Sequence, residues 1–434
     1  MAIGCSASAL AELRTQAIHL FNQGVAASDP QAAVVSALKA RAGLIAASRR
    51  VVLIAFGKAA CAMARAALPF VRDKLARACV VTNRENASDV EGAEVVVGGH
   101  PLPDEGSLIG ANLIREVACS ARQGDLVLLL ISGGGSALVC APALGISLAD
   151  KIALNEALIH CGADIAEINV VRQVFSALKG GGLAELTAGV RTLSLMLSDV
   201  PGDDTTVIAS GPTAKPVTSA SDAILVLRRH NLLESLPASL RGRLSNLEAA
   251  GKPSRKGFEH VENVVIGSNR ISLRKMTSNA EELFPVVMKA ADWLSGDVAD
   301  AASALHHFAL HAARQDAPMA IVAGGETTVK VRGRGKGGRN QELALRFALL
   351  DERSPLSRPW VFLSGGTDGR DGPTDVAGGL VDYGSARRMR AQGCRPEVCL
   401  HENDSYSALS SSGDLFSTGP TGTNVADLQI MLIP

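Results

Sequence analysis

The sequence carries no net charge: 43 Lys and Arg stand against 43 Asp and Glu. Bulk electrostatics therefore give no pull toward nucleic acid or an anionic membrane surface. No apolar run reaches the ~18 residues that a membrane helix needs. The opening Met-Ala-Ile-Gly-Cys lacks the charged and apolar segments of an export signal. The eight cysteines include no C-x-x-C pair, and most lie in apolar or Ala-rich runs. Buried free thiols in a reducing compartment are expected, and with them a cytoplasmic location. The nine histidines show no H-x-x-x-H pair with a companion ligand. G-x-x-x-x-G-K-[ST] does not occur, which excludes a P-loop NTPase; the protein-kinase motif set and G-x-S-x-G are absent too.

What is present is a chain of 434 residues, 47% apolar and 20% charged, long enough for two or three domains. Val51–Phe56, Ala78–Thr82, Glu94–Val97, Leu126–Ile131 and Thr192–Leu197 read as strands separated by helical stretches. Each is nearly continuously apolar, the mark of a parallel sheet covered on both faces. Gly251-Lys-Pro-Ser-Arg-Lys-Gly257 is rich in breakers and is the best linker. A second alternating series follows, with strands near Phe284–Met288, Met319–Val322, Trp360–Leu363 and Gln429–Ile433, and a half-exposed strand at Thr327–Val331. The expected class is α/β in two lobes. Residues 1–255 form a Rossmann-like parallel sheet with helices on both faces, and residues 256–434 a smaller α/β lobe with a mixed sheet.

The polar interest lies in loops that follow strands, the edge where open parallel sheets bind ligands. Leu126–Ile131 runs into Ser132-Gly-Gly-Gly-Ser136 and then an apolar stretch that can start a helix. Glycines let a ligand approach, and a helix N-terminus offers unpaired N–H groups to an anion. Gly57-Lys58 puts an ammonium in a similar place. Ser198-Asp-Val-Pro-Gly-Asp-Asp204 supplies carboxylates that suit Mg²⁺ or proton acceptance, and also plain turn chemistry. Arg332, Arg334, Lys336 and Arg339 stand among glycines and suit a polyphosphate. Gly333, Gly335 and Gly338 match G-x-G-x-x-G, but the preceding strand is polar and no acidic strand end follows. Ser364–Asp375 and Ser417–Asn424 are two further hydroxyl–glycine loops, and His100 is expected to pack within its loop.

In order along the chain, Phe56-Gly-Lys-Ala59, Gly99-His-Pro-Leu-Pro-Asp-Glu105, Leu130-Ile-Ser-Gly-Gly-Gly-Ser-Ala137, Ser198-Asp-Val-Pro-Gly-Asp-Asp204, Ser210-Gly-Pro-Thr213, Gly337-Gly-Arg-Asn-Gln-Glu342, Gly366–Asp375 and Thr418–Asn424 resemble the type II glycerate kinase family, also known as hydroxypyruvate reductase of tartrate degradation. The resemblance implies ATP- and Mg²⁺-dependent phosphorylation of D-glycerate to 2-phosphoglycerate, in a cleft between two lobes. It places Lys58 and Arg339 in the active site as residues that hold the phosphoryl group or the glycerate carboxylate. Asp199 or Asp203 is expected to accept the hydroxyl proton or bind Mg²⁺, with Asp368 a further metal candidate. Ser132, Gly133, Gly134, Gly135 and Ser136 are the anion turn. Gly337, Gly338, Asn340, Thr367, Asp368, Thr421, Thr423 and Asn424 are expected at nucleotide or substrate. Replacing Lys58 or Arg339 by Ala is expected to cut turnover and leave the fold intact. After Asn169-Val-Val-Arg172 the family usually carries a basic residue and a histidine, where this chain has Gln173 and Val174. The expected partners are small molecules, not nucleic acid or membrane, and a monomer or a homodimer is left open. The runner-up activity is an NAD(P)H-dependent hydroxypyruvate reductase, and a non-catalytic sensor is the third class.

Overall fold

The computed structural model describes residues 6–250 and 257–434. Residues 251–256 of the expected linker lie outside the described residues. The chain forms two compact units, one of Pro30–Ile266 and one that joins Met1–Asp29 to Gly267–Pro434. This differs from the expected division at residue 255, because the N-terminal helix belongs with the C-terminal unit. In helix Ala7–Ala26, Leu13, Ala17, Leu20, Phe21 and Val25 enter one buried cluster with Leu273, Met276, Val322, Leu363 and Ile430. Phe21 meets Phe416 edge to face at 5.0 Å. Burying a large apolar side chain is worth about 1.5–3 kcal/mol, so this stripe decides where the helix goes. Arg14 adds ion pairs to Asp382 at 2.6 Å and Asp414 at 3.0 Å.

In the Pro30–Ile266 unit, β1 (Val51–Phe56), β2 (Leu75–Thr82), β3 (Glu94–Val97), β4 (Leu126–Ile131), β5 (Arg191–Ser198) and β6 (Val261–Ser268) form a sheet in the order β3-β2-β1-β4-β5-β6. The pairs from β3 through β5 are all parallel. Val51, Leu53 and Ala55 enter one buried cluster, and Val52, Ile54 and Phe56 the opposite one. β4 divides in the same way, which is why both strands read as unbroken apolar runs. From β1 the chain winds outward to β2 and β3; from β4 it winds the other way to β5. The loops after β1 and β4 therefore diverge at a topological switch point, where such sheets open a crevice.

The second unit carries β7 (Val286–Lys289), β8 (Met319–Gly325), β9 (Val361–Gly366), β10 (Gly378–Asp382), β11 (Leu415–Phe416) and β12 (Asp427–Ile433), in the order β11-β10-β9-β12-β8-β7. Only β7 and β8 pair in parallel; the rest is antiparallel, giving the mixed sheet. One face packs on helices Val298–Ala312 and Arg339–Arg353, the other on Ala7–Ala26 and Asn269–Glu281. Thr327–Val331 forms no strand: it holds one bridge, Thr328 to Asp297, and Val331 is 78% exposed. β10 is hidden from sequence patterning by Gly378 and Gly379. A Cβ on Gly378 would lie 2.0 Å from the Ser364 carbonyl oxygen, so its pairing with β9 needs glycine. No helix among the described residues is long and apolar enough to cross a membrane.

Candidate active site

Gly57, whose φ is 119°, directly follows β1. A Cβ there would sit 2.4 Å from the Ser132 carbonyl oxygen, so only glycine lets the ends of β1 and β4 come this close. Two hydrogen bonds tie them: the Lys58 N–H donates to Gly133 O at 2.9 Å and the Ala59 N–H to Ser132 Oγ at 3.0 Å. Lys58 is thus anchored through its backbone, while its part-exposed ammonium makes no ion pair among the described residues. A Cβ on Gly134 would lie 3.2 Å from both Lys58 Cγ and His100 Cδ2, and one on Gly133 would lie 2.4 Å from Asp199 Oδ2. Lys58, His100 and Asp199 therefore gather around the glycine turn.

The electrostatics follow from that gathering. Burial raises the Asp199 carboxyl above its ordinary value, and the Lys58 ammonium opposes the rise. Burial lowers the His100 imidazole, and Lys58 lowers it further, so the ring is neutral at neutral pH. His100 thus lies against the glycine turn beside Lys58, not only among the residues of its own loop. Its position among strand-end residues was the available signal.

The other expected residues of this unit have the following surroundings. The helix after the glycine turn is a single turn, Gly135–Leu138, too short to carry a useful macrodipole. The site there is the glycine turn with Lys58. The Ser136 hydroxyl pairs with Ser210 Oγ at 2.9 Å. On the β5 loop, Asp204 accepts from the N–H and hydroxyl of Thr206 at 2.8 and 2.7 Å, which is turn chemistry. Asp203 is half-buried at φ 57°, and Asp199 is the carboxylate set against Gly133.

A second constellation lies in the other unit. β12 runs antiparallel between β8 and β9, so its first residue, Asp427, is flanked by Gly325 and Gly366. Arg339, the first residue of its helix, reaches this buried carboxylate with Nε at 2.6 Å and Nη2 at 2.9 Å. Its Nη1 donates to Glu326 at 2.7 Å. Burial raises the Asp427 carboxyl and Arg339 opposes it. The helix N-terminus is occupied by Asp371, which accepts from the N–H groups of Asn340 at 3.1 Å and Gln341 at 2.8 Å. Burial pushes the Asp371 carboxyl up to about 6, against those hydrogen bonds. A Cβ on Gly338 would lie 2.4 Å from Asp371 Oδ1, and one on Gly337 would lie 2.2 Å from Ser405 Oγ.

The remaining expected contacts are mostly ties within the protein. Asn340 is buried, with its amide oxygen accepting from Ser364 at 2.6 Å. Thr367 donates to Ala426 O, Thr421 to Thr367 O, and Thr423 to Ser28 O. Asn424 Oδ1 accepts from the Ala426 N–H, and Asp368 from the Arg370 N–H. These bonds knit the 366–375 and 418–424 loops together and hold Asp427 opposite Arg339. Among the described residues, no group of three or more His, Cys, Asp or Glu side chains is arranged to hold a metal ion.

Two family models match the chain: a domain of unknown function, DUF4147, over residues 16–245, and the MOFRL family over residues 319–427. The chain is 37% identical over 441 residues to the glycerate 2-kinase of Pyrococcus horikoshii, covering 97% of this chain and 98% of that protein. It is 38% identical over 389 residues to the D-glycerate 2-kinase of Thermotoga maritima, covering 88% and 91%. The crystal structure of a Thermotoga maritima glycerate kinase superposes with a TM-score of 0.89 at 36% identity, covering 98% of this chain and all of that one. The chain belongs to the glycerate kinase family. Both constellations fall within the matched domains, Lys58, His100 and Asp199 in the first and Arg339 and Asp371 in the second.

A relative from Agrobacterium vitis carries the name putative hydroxypyruvate reductase, at 37% identity over 423 residues, covering 95% of this chain and 93% of that protein. The G-x-G-x-x-G pattern offers no dinucleotide site to match that name. A Cβ on Gly333 would meet the Glu402 backbone at 2.3 Å, and one on Gly335 would meet Asp404 Cβ at 2.4 Å. These glycines let the basic loop lie against the 402–405 turn. No strand leads into them, because Thr327–Val331 is not one.

Proposed function

We propose that the chain transfers the γ-phosphoryl group of ATP, with Mg²⁺, to the 2-hydroxyl of D-glycerate. The observation that carries this reading is the glycine turn at Gly133–Gly134, which brings the Lys58 ammonium and the Asp199 carboxylate to one strand-end crevice. Phosphoryl transfer asks for charge neutralisation and positioning more than for covalent help. Lys58 supplies the positive charge. Asp199, raised by burial above the ordinary aspartate value, is assigned to accept the proton of the attacking hydroxyl. His100, neutral beside Lys58, adds a hydrogen-bonding group without adding charge.

The carboxylates fit a hard cation that takes one or two protein ligands together with phosphate and water oxygens. Asp199 and Asp203 on the β5 loop are the residues assigned to it in the Pro30–Ile266 unit, and Asp368 is a separate candidate within the other unit. When bound, Mg²⁺ neutralises phosphate charge. Arg339 is assigned to an anionic group of substrate or nucleotide. Its exchangeable arm is the one on Glu326, whose side chain is 47% exposed, whereas Asp427 is 2% exposed. A reducing cytoplasm suits the seven described cysteines, all free thiols.

The test is a two-arm turnover assay on the purified chain. D-glycerate, ATP and Mg²⁺ should give a phosphoglycerate resonance in phosphorus NMR, with the coupling pattern of a phosphate on carbon 2. Hydroxypyruvate with NADH or NADPH should give no cofactor oxidation. Oxidation in the second arm alone would overturn the assignment.

A further inference from the structure

Three basic side chains meet beneath the Ser136 turn, and among the described residues no carboxylate forms an ion pair with any of them. Lys151 lies on helix Leu148–His160 and is 2% exposed; Lys179 follows helix Ile165–Val174 and is 9% exposed. Arg172, on that second helix, is part-exposed. Each lysine has a single described acceptor, a backbone carbonyl: Arg172 O for Lys151 at 3.3 Å and Ser136 O for Lys179 at 2.7 Å. An ammonium has three hydrogens to place, so both remain under-satisfied. Arg172 Nε donates to Asn155 at 2.9 Å, and its two terminal nitrogens have no described partner.

The surroundings are polar and directed. Lys151 and Asn155 share one helix face at i, i+4, and Asn169 and Arg172 share another at i, i+3. Asn169 accepts from Ser210 Oγ at 3.0 Å, and Ser210 pairs with Ser136. Ser136 thereby links this cluster to the Gly133–Gly135 turn. The Cys140 thiol lies within electrostatic reach of all three. Burial lowers Lys151 to about 8, and it lowers Lys179 well below the ordinary lysine value, with Lys151 and Arg172 adding to the effect. A fold that buries unbalanced positive charge loses stability by doing so. An anion is the kind of group that would balance these side chains.

We propose that Arg172, Lys151 and Lys179 form the receptor for the carboxylate of the small hydroxy acid that accepts the phosphoryl group. The identity of the ligand rests on the D-glycerate reading above. Arg172 offers the planar fork that matches a carboxylate, and the two lysines set point charges behind it. The adjoining glycine turn with Lys58 is left to phosphate oxygens.

Calorimetric titration without nucleotide tests this. The wild-type chain should bind D-glycerate and ignore glycerol, which lacks the carboxylate. Lys179→Met and Arg172→Met should each weaken D-glycerate at least thirtyfold and keep ATP affinity within twofold. The ligand-free Lys179→Met protein should melt no lower than wild type, because a buried unbalanced charge has gone. Unchanged D-glycerate affinity in both variants, or loss of ATP affinity instead, overturns the receptor. Carboxylate-dependent binding without phosphoryl transfer would sink the kinase reading and leave the receptor standing. Turnover with an unmoved KM for D-glycerate in both variants would do the reverse.

Discussion

Arg339 grips Asp427 through two parallel hydrogen bonds, at 2.6 and 2.9 Å, across the start of the last strand. The pairing makes Arg339 a structural residue as well as a candidate catalytic one. Asp427 is 1% exposed and has no other cation in an ion pair among the described residues. Removing one partner of a buried pair leaves an uncompensated charge and costs about 3–5 kcal/mol. Arg339→Ala should therefore lower the unfolding free energy by roughly that amount as well as cut turnover, contrary to the expectation of an intact fold. Adding Asp427→Asn should recover part of the stability and none of the turnover. Chemical denaturation of the single and double variants measures this; an unshifted midpoint in Arg339→Ala would refute it.

Lys58 presents the opposite case. Its backbone carries the ties to β4, and its side chain is part-exposed without an ion pair among the described residues. Lys58→Ala should reduce kcat by about 10²–10³-fold, the range for losing one preorganised electrostatic group. Its melting temperature should match wild type. Turnover within a factor of a few of wild type would remove Lys58 from the mechanism.

Asp371 predicts a pH signature of stability. Its folded carboxyl lies at about 6, above the ~3.9 of an unfolded chain. The folded state therefore holds the proton more tightly, and between those values it binds more protons than the unfolded state. This group's contribution is most favourable below ~4 and is lost as pH rises to about 6. Subtracting the Asp371→Asn stability curve from the wild-type curve between pH 4 and 7 should give a difference that falls with pH. A flat difference would show that Asp371 titrates normally.

The N-terminal helix predicts which unit a distant substitution weakens. Phe21 is fully buried against Phe416 and the β8, β9 and β12 side chains. Phe21→Ala should cost about 3–5 kcal/mol. Hydrogen exchange should rise first in β9 and β12 and leave β1 and β4 protected. Faster exchange confined to β1 and β4 would contradict the packing.

Strands β1 and β4 were legible because burial on both faces leaves an unbroken apolar run, and that depends on composition alone. The order of loops along the chain showed in the same way that chemistry gathers at strand ends. Gly57 and Gly134, both at positive φ, marked the turn where Lys58 stands. The tertiary structure decided the rest. An amphipathic stripe says that helix Ala7–Ala26 must bury a face, but not that its partner strands lie roughly 300 to 400 residues later. Glycine hides β10, because the close approach that requires it comes from a different strand. His100 was marked only by its strand-end loop and Arg172 only by its segment, and neither these nor Lys151 and Lys179 show their neighbours locally, because those neighbours lie far along the chain. Charge balance within a buried space is a property of what converges there, and convergence is fixed only when the sheets close.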